Sequence, residues 1–116
     1  MIHPRIIVAK NFMEQGVLVN EHLNKLRGTD VDYLVSIDAI RFNNGEGKGV
    51  LGESVRDMDV YIMTDVGNYD VTYKAQRGVH HMMPDEHYQD LKRIISAIDG
   101  HAKRVSIVMP FLYQSR

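Results

Sequence analysis

The sequence predicts an α/β domain: a mainly parallel sheet with flanking helices, plus one projecting β-hairpin. Three observations lead there. Short, continuously apolar runs recur at Arg5–Ala9, Val60–Thr64 and Val105–Met109, the pattern of strands covered on both faces. Amphipathic stretches of helical period separate them, and strand–helix–strand alternation implies right-handed crossovers and a parallel sheet. Asn44-Gly45 lies between two β-rich runs, Asp32–Phe42 and Val50–Val55, and both residue types tolerate the positive φ of a tight hairpin turn.

The elements follow in order. After Arg5–Ala9, a helix is expected over about Phe12–Arg27, with Leu18, Val19, His22, Leu23 and Leu26 on one stripe and Gly28 as its stop. Gly16 weakens its first half, and His22 reads as a half-buried packing residue. The hairpin occupies about residues 32–56. Gly47, Gly49 and Gly52 on its return arm suggest bulges or close backbone approach. Residues 67–84 read as a long inserted loop whose tyrosines and methionines are expected to cover a neighbouring subunit or an active-site rim. A second helix begins at Asp85, its expected cap, with Tyr88, Leu91, Ile94, Ile95 and Ile98 as its apolar stripe and Gly100 as its stop. Val105–Met109 is the last strand, ended by Pro110.

Composition narrows the function. A chain of 116 residues is one domain, able to bury roughly 65% of its unfolded surface. The net charge of −1 offers no attraction to nucleic acid or to an anionic membrane. No apolar run reaches the ~20 residues that span a bilayer. The absence of cysteine excludes disulfides and thiolate metal sites and fits a cytoplasmic setting. His80-His81, with His87 nearby, invites a metal reading, but adjacent histidines rarely reach one ion, so no metal site is expected. The hairpin tip carries an aromatic ring, two amides and a carboxylate within Phe42–Glu46. Such a set suits a planar, hydrogen-bonding ligand; it also describes an ordinary solvated turn.

Three segments favour the ligand. Arg41–Glu46 followed by Gly52–Arg56 and Asp59–Ile62, then Leu91–Asp99, then Ala102–Arg116, resemble in the same order the N-terminal half of ribose-phosphate diphosphokinase, the synthetase of phosphoribosyl diphosphate. The resemblance implies a phosphoribosyltransferase-like N-terminal domain and a homo-oligomer in which the hairpin projects as a flag. It implies an enzyme that moves the diphosphoryl group of ATP to ribose 5-phosphate with Mg2+. Matched by position, Phe42 stacks on adenine, Asn44 and Glu46 bond its edge, and Arg116 contacts the nucleotide phosphates. Asn44 stands where many members carry aspartate. Ser54 and Arg56 match positions that help bind a regulatory phosphate or ADP between subunits; a strand-end ion pair is the other reading of these two.

The chain stops just after a core strand, so the expectation is a truncated N-terminal domain, inactive alone, whose Mg2+ ligands and catalytic loops lie elsewhere. A non-catalytic assembly or regulatory homologue of the same fold is the alternative. An unrelated flavodoxin-like domain would need a glycine-rich or acidic cluster after the first strand, and Ala9–Phe12 has neither.

Overall fold

The computed structural model describes residues 3–116. Strand β1 (Arg5–Val8) runs through a 3₁₀ turn (Lys10–Phe12) into α1 (Met13–Arg27). Then come β2 (Leu34–Val35), β3 (Ile37–Arg41), β4 (Gly47–Leu51), β5 (Asp59–Met63), β6 (Thr72–Ala75), β7 (Gly78–His81), α2 (Pro84–Ile98) and β8 (Arg104–Val108). The central sheet has the order β2-β1-β5-β8 and is parallel throughout. The chain leaves β1 toward β2 on one side and returns to β5 on the other. The carboxyl ends of β1 and β5 therefore flank a topological switch point, where open α/β sheets leave a crevice.

Alternation along the strands sorts the core. Ile7, Val60 and Ile62 face α2 and pack with Leu91, Ile94 and Ile98. Ile6, Val8 and Met63 face the other way and pack with Tyr33, under Phe12, Val19 and Leu23. Gly16 explains that rotation of α1. A Cβ there would lie 2.6 Å from Val8 Cγ2, so the glycine that weakens the helix is what lets it settle on β1. With Gly16 inward, Leu18 and Leu26 point outward, 62% and 69% exposed. His22 is exposed too, contrary to the packing role read from its spacing.

Four further expectations change. Helix α2 starts at Pro84, and Asp85 lies in its first turn rather than capping it; its carboxylate accepts from the Tyr113 hydroxyl. The buried stripe of α2 is His87, Leu91, Ile94 and Ile98, with Ile95 turned out. The strand run expected from 32 divides at Ser36. Leu34–Val35 joins the central sheet beside β1, and only Ile37–Arg41 enters the arm, paired from Ile37↔Leu51 to Arg41↔Gly47. Val55, at the far end of the expected hairpin, is buried in the main core. The 67–84 stretch is not a loop but a second hairpin, β6–β7, in register from Thr72↔His81 to Ala75↔Gly78.

The arm leans on α2. A Cβ at Gly49 would meet the Arg93 carbonyl at 3.1 Å, the close backbone approach expected of this strand. Strand β8 is an edge, and Val105, Ile107 and Val108 remain 39%, 45% and 41% exposed because α2 lies over β1 and β5 instead. Arg104 ties β8 to β5 through bonds of 3.0 and 2.6 Å to Asp59; this pairing holds the Asp59 carboxyl below the usual range.

Gly16→Val overpacks the α1–β1 contact. It should lower the unfolding free energy by about 1–3 kcal/mol, read as a reduced denaturant midpoint at unchanged slope. An unchanged midpoint would mean that α1 does not rest on Val8.

Candidate functional site

The exposed tip of the arm is built by backbone first. Phe42 N–H donates to the Glu46 carbonyl at 2.8 Å, and Gly45 N–H to the Phe42 carbonyl at 2.9 Å. Gly45 takes φ +95°, while Asn43 and Asn44 stay at negative φ, so only the glycine uses the left-handed region. Asn44 then organises the polar groups. Its Oδ1 accepts from Glu46 N–H at 3.0 Å, and its Nδ2 donates to Glu46 Oε1 at 2.9 Å. An aspartate here would set two carboxylates side by side; asparagine turns that repulsion into a bond. The Phe42 ring is 49% exposed beside this pair. One stacking face and a pre-arranged amide–carboxylate edge thus share a solvent-facing turn.

Beneath the tip sits Arg41, whose side chain is 10% exposed. Its guanidinium lies 4.3 Å over the Tyr73 ring of β6. It lies 3.5 Å from Glu86 and 3.8 Å from Asp90 of α2, and donates to the Gly45 carbonyl at 3.3 Å. Arg93 holds Asp90 from the other side at 2.5 Å. The Glu86 carboxylate beside the phenol, together with burial, pushes the Tyr73 hydroxyl above its usual range. Gln76 N–H of the second hairpin donates to the Asn43 carbonyl at 3.0 Å.

At the switch point the polar groups are buried and paired. Asn11 Nδ2 lies 3.0 Å from both Thr64 Oγ1 and His87 Nδ1, and Asn11 Oδ1 accepts from Asp65 N–H at 2.9 Å. His87 Nε2 lies 2.6 Å from the Asn68 carbonyl, which can only accept, so the proton belongs on Nε2 and Nδ1 accepts from Asn11. Asn68 Nδ2 donates back to the Asn11 carbonyl at 2.9 Å. Above this network opens a crevice of about 450 Å³ bordered by Lys10, Arg41, Tyr73, Lys74 and Asp90.

A family model for the N-terminal domain of ribose phosphate pyrophosphokinase matches residues 20–116. The chain belongs to this family. No curated protein matches the sequence. The matched span holds all six residues that the pyrophosphokinase resemblance singles out.

The structure separates those six into three places. Phe42, Asn44 and Glu46 share the arm's tip. Ser54 and Arg56 border a different groove of about 580 Å³, with Lys48 and His101 beside them; Ser54 Oγ accepts from Arg56 N–H at 3.3 Å. Arg116 is exposed in a small surface groove formed with Phe111–Ser115. Spacing along the sequence did not disclose Arg41, Tyr73 and the α2 carboxylates as one cluster. The available signal was Glu86 and Asp90 at i and i+4, which places both on one helix face.

The three histidines of the metal reading go to separate partners. His80 stacks on Tyr73, His81 stacks on Tyr69, and His87 is held by Asn11 and Asn68. Among the described residues no group of three or more His, Asp or Glu side chains is gathered as a cation site. Among them, too, no helix is long and apolar enough to cross a membrane.

Tyr73→Phe should remove one late-ionising phenol from an alkaline ultraviolet titration. The raised hydroxyl favours the fold below the ordinary tyrosine range, and that contribution is lost as pH climbs through the folded value. An unaltered late phase would show that Glu86 does not face Tyr73.

Proposed function

We propose that the chain is the N-terminal part of a ribose-phosphate diphosphokinase and supplies an adenine contact through its arm. The supporting observation is the tip: a half-exposed Phe42 ring beside the bonded Asn44–Glu46 pair, none of it folded into the core. In this reading the anomeric hydroxyl of ribose 5-phosphate attacks the β-phosphorus of ATP and AMP departs. Such a transfer needs in-line positioning and charge neutralisation more than a covalent catalyst. Phe42 stacks on the base. The Glu46 carboxylate accepts from the exocyclic amine, and Asn44 holds that carboxylate in place and offers a donor to the ring edge. Arg116 contributes to the nucleotide phosphates, where a planar fork suits phosphate oxygens.

Mg2+ travelling with ATP would neutralise phosphate charge. Ser54 and Arg56, a hydroxyl and a guanidinium, form a regulatory phosphate grip, with Lys48 and His101 of the same groove as further donors. The arm serves a neighbouring subunit's site in a cytoplasmic homo-oligomer, and neither nucleic acid nor membrane is a partner.

In the complete enzyme, Phe42→Ala should raise the KM for ATP about tenfold and leave that for ribose 5-phosphate within about twofold. An unchanged ATP value removes Phe42 from the site. The 116-residue chain alone should give no turnover in a coupled assay of phosphoribosyl diphosphate formation; turnover would mean that the catalytic groups are already present. A complete protein that binds ATP without turnover would instead be a regulatory homologue.

A further inference from the structure

We propose that the second hairpin, β6–β7, is a brace that sets the angle of the arm's tip, with Arg41 as a positioning residue for the nucleotide contact. The functional half of this statement rests on the adenine reading above; the mechanical half does not.

The arm has little stiffness of its own. An isolated two-stranded hairpin is marginal in water, and β4 carries Gly47 and Gly49 in its five residues, which supply no cross-strand side-chain pairs. Along β4, α2 supports the strand at Gly49 and, through the Arg93 guanidinium, at Gly47 where the strand begins. The turn itself is reached by β6–β7. Gln76 N–H grips the Asn43 carbonyl at 3.0 Å. Tyr73 backs Arg41, whose guanidinium spans three elements: the Gly45 carbonyl of the tip, the Tyr73 ring, and the Glu86 and Asp90 carboxylates of α2. A fork of fixed geometry can serve these partners together; an ammonium cannot.

The brace is itself fixed to the core. Asn68, at its entry, is bonded to Asn11 and His87. At its exit the Met82 side chain is buried, and the Met82 N–H donates to the Val71 carbonyl at 2.8 Å, closing the base of the hairpin. A continuous bonded path therefore runs from the carboxyl end of β1 to the turn that carries Phe42. Pre-ordering the turn lowers the entropy lost when a base docks on it.

Two substitutions test this. Gln76→Pro deletes the donor alone: Gln76 is the first of two residues between paired Ala75 and Gly78, a position that suits proline. Arg41→Lys keeps the charge and loses the fork. Hydrogen exchange on the 116-residue chain reads the mechanics, with the amides of Phe42 and Gly45 reporting the tip and Ile62 the central sheet. Gln76→Pro should speed tip exchange about fivefold with Ile62 unchanged, and Arg41→Lys should do so at least as strongly. Unchanged tip exchange in Gln76→Pro overturns the brace, and this variant decides if Arg41→Lys also exposes Ile62.

ATP kinetics in the complete enzyme read the function. Gln76→Pro should raise the KM for ATP several-fold, with kcat and the ribose 5-phosphate KM unchanged. If Phe42→Ala raises the ATP KM and Gln76→Pro does not, the positioning role is overturned while the adenine reading stands. If Phe42→Ala changes nothing but the tip loosens in Gln76→Pro, the adenine reading falls and the brace stands.

Discussion

Everything else in this domain is arranged on the burial of one face of α2. Leu91, Ile94 and Ile98 close over Ile7, Val60 and Ile62, and each fully buried aliphatic side chain contributes about 1.5–3 kcal/mol relative to exposure. Once that face is committed, the rest of the helix surface is committed too. The side of α2 at Arg93 and Ile94 receives the backbone of β4 at Gly49. Its first two turns, at Glu86, His87 and Asp90, meet both Arg41 and the entry of the second hairpin. One helix thus fixes the sheet, the arm and the inserted hairpin in a single frame.

The attachments are of two physical kinds. The sheet and α2 meet through non-directional apolar contact, which tolerates small shifts. The two hairpins add to the apolar contacts of Ile37, Leu51 and Met82 a set of hydrogen bonds and charges, which do not. The buried Asn11, Thr64 and His87 are bonded to one another and to Asn68, and a satisfied buried network of this kind specifies one arrangement. Arg41 does the same at the surface end. Its ion pairs with Glu86 and Asp90 are shielded from water on a side chain 10% exposed, so they are screened less than the more exposed pair of Arg104 and Asp59.

Within this member of the ribose phosphate pyrophosphokinase family, the frame carries an arm whose ring and polar edge face solvent. The second hairpin turns what would be a loose two-stranded ribbon into a supported one. Its own turn repeats the arm's solution, with Gly78 at φ +101° as Gly45 is at +95°.

By itself the sequence determined the class of fold, because apolar runs, helical periods and the turn at Asn44-Gly45 are local signals that need no partner to be legible. It also determined the family, since Phe42–Glu46 and Gly52–Arg56 are recognisable as strings, and it disclosed the close approach on the return arm through Gly49. Only the tertiary structure decided where surfaces face. The rotation of α1 follows from Gly16 meeting Val8, so Leu18, His22 and Leu26 lie outside despite their spacing. The run from 32 to 42 divides because Leu34 and Val35 find a vacant edge beside β1, a partner 28 residues upstream. Residues 72–81 pair locally as a hairpin, but its placement rests on His87, Asn11 and Asn68 pairing across long separations, and Arg41 gathers Tyr73, Glu86 and Asp90 in the same way. Bonds between residues far apart in the chain leave no periodicity behind them, and so the cluster beneath the tip became visible only once the chain had closed on itself.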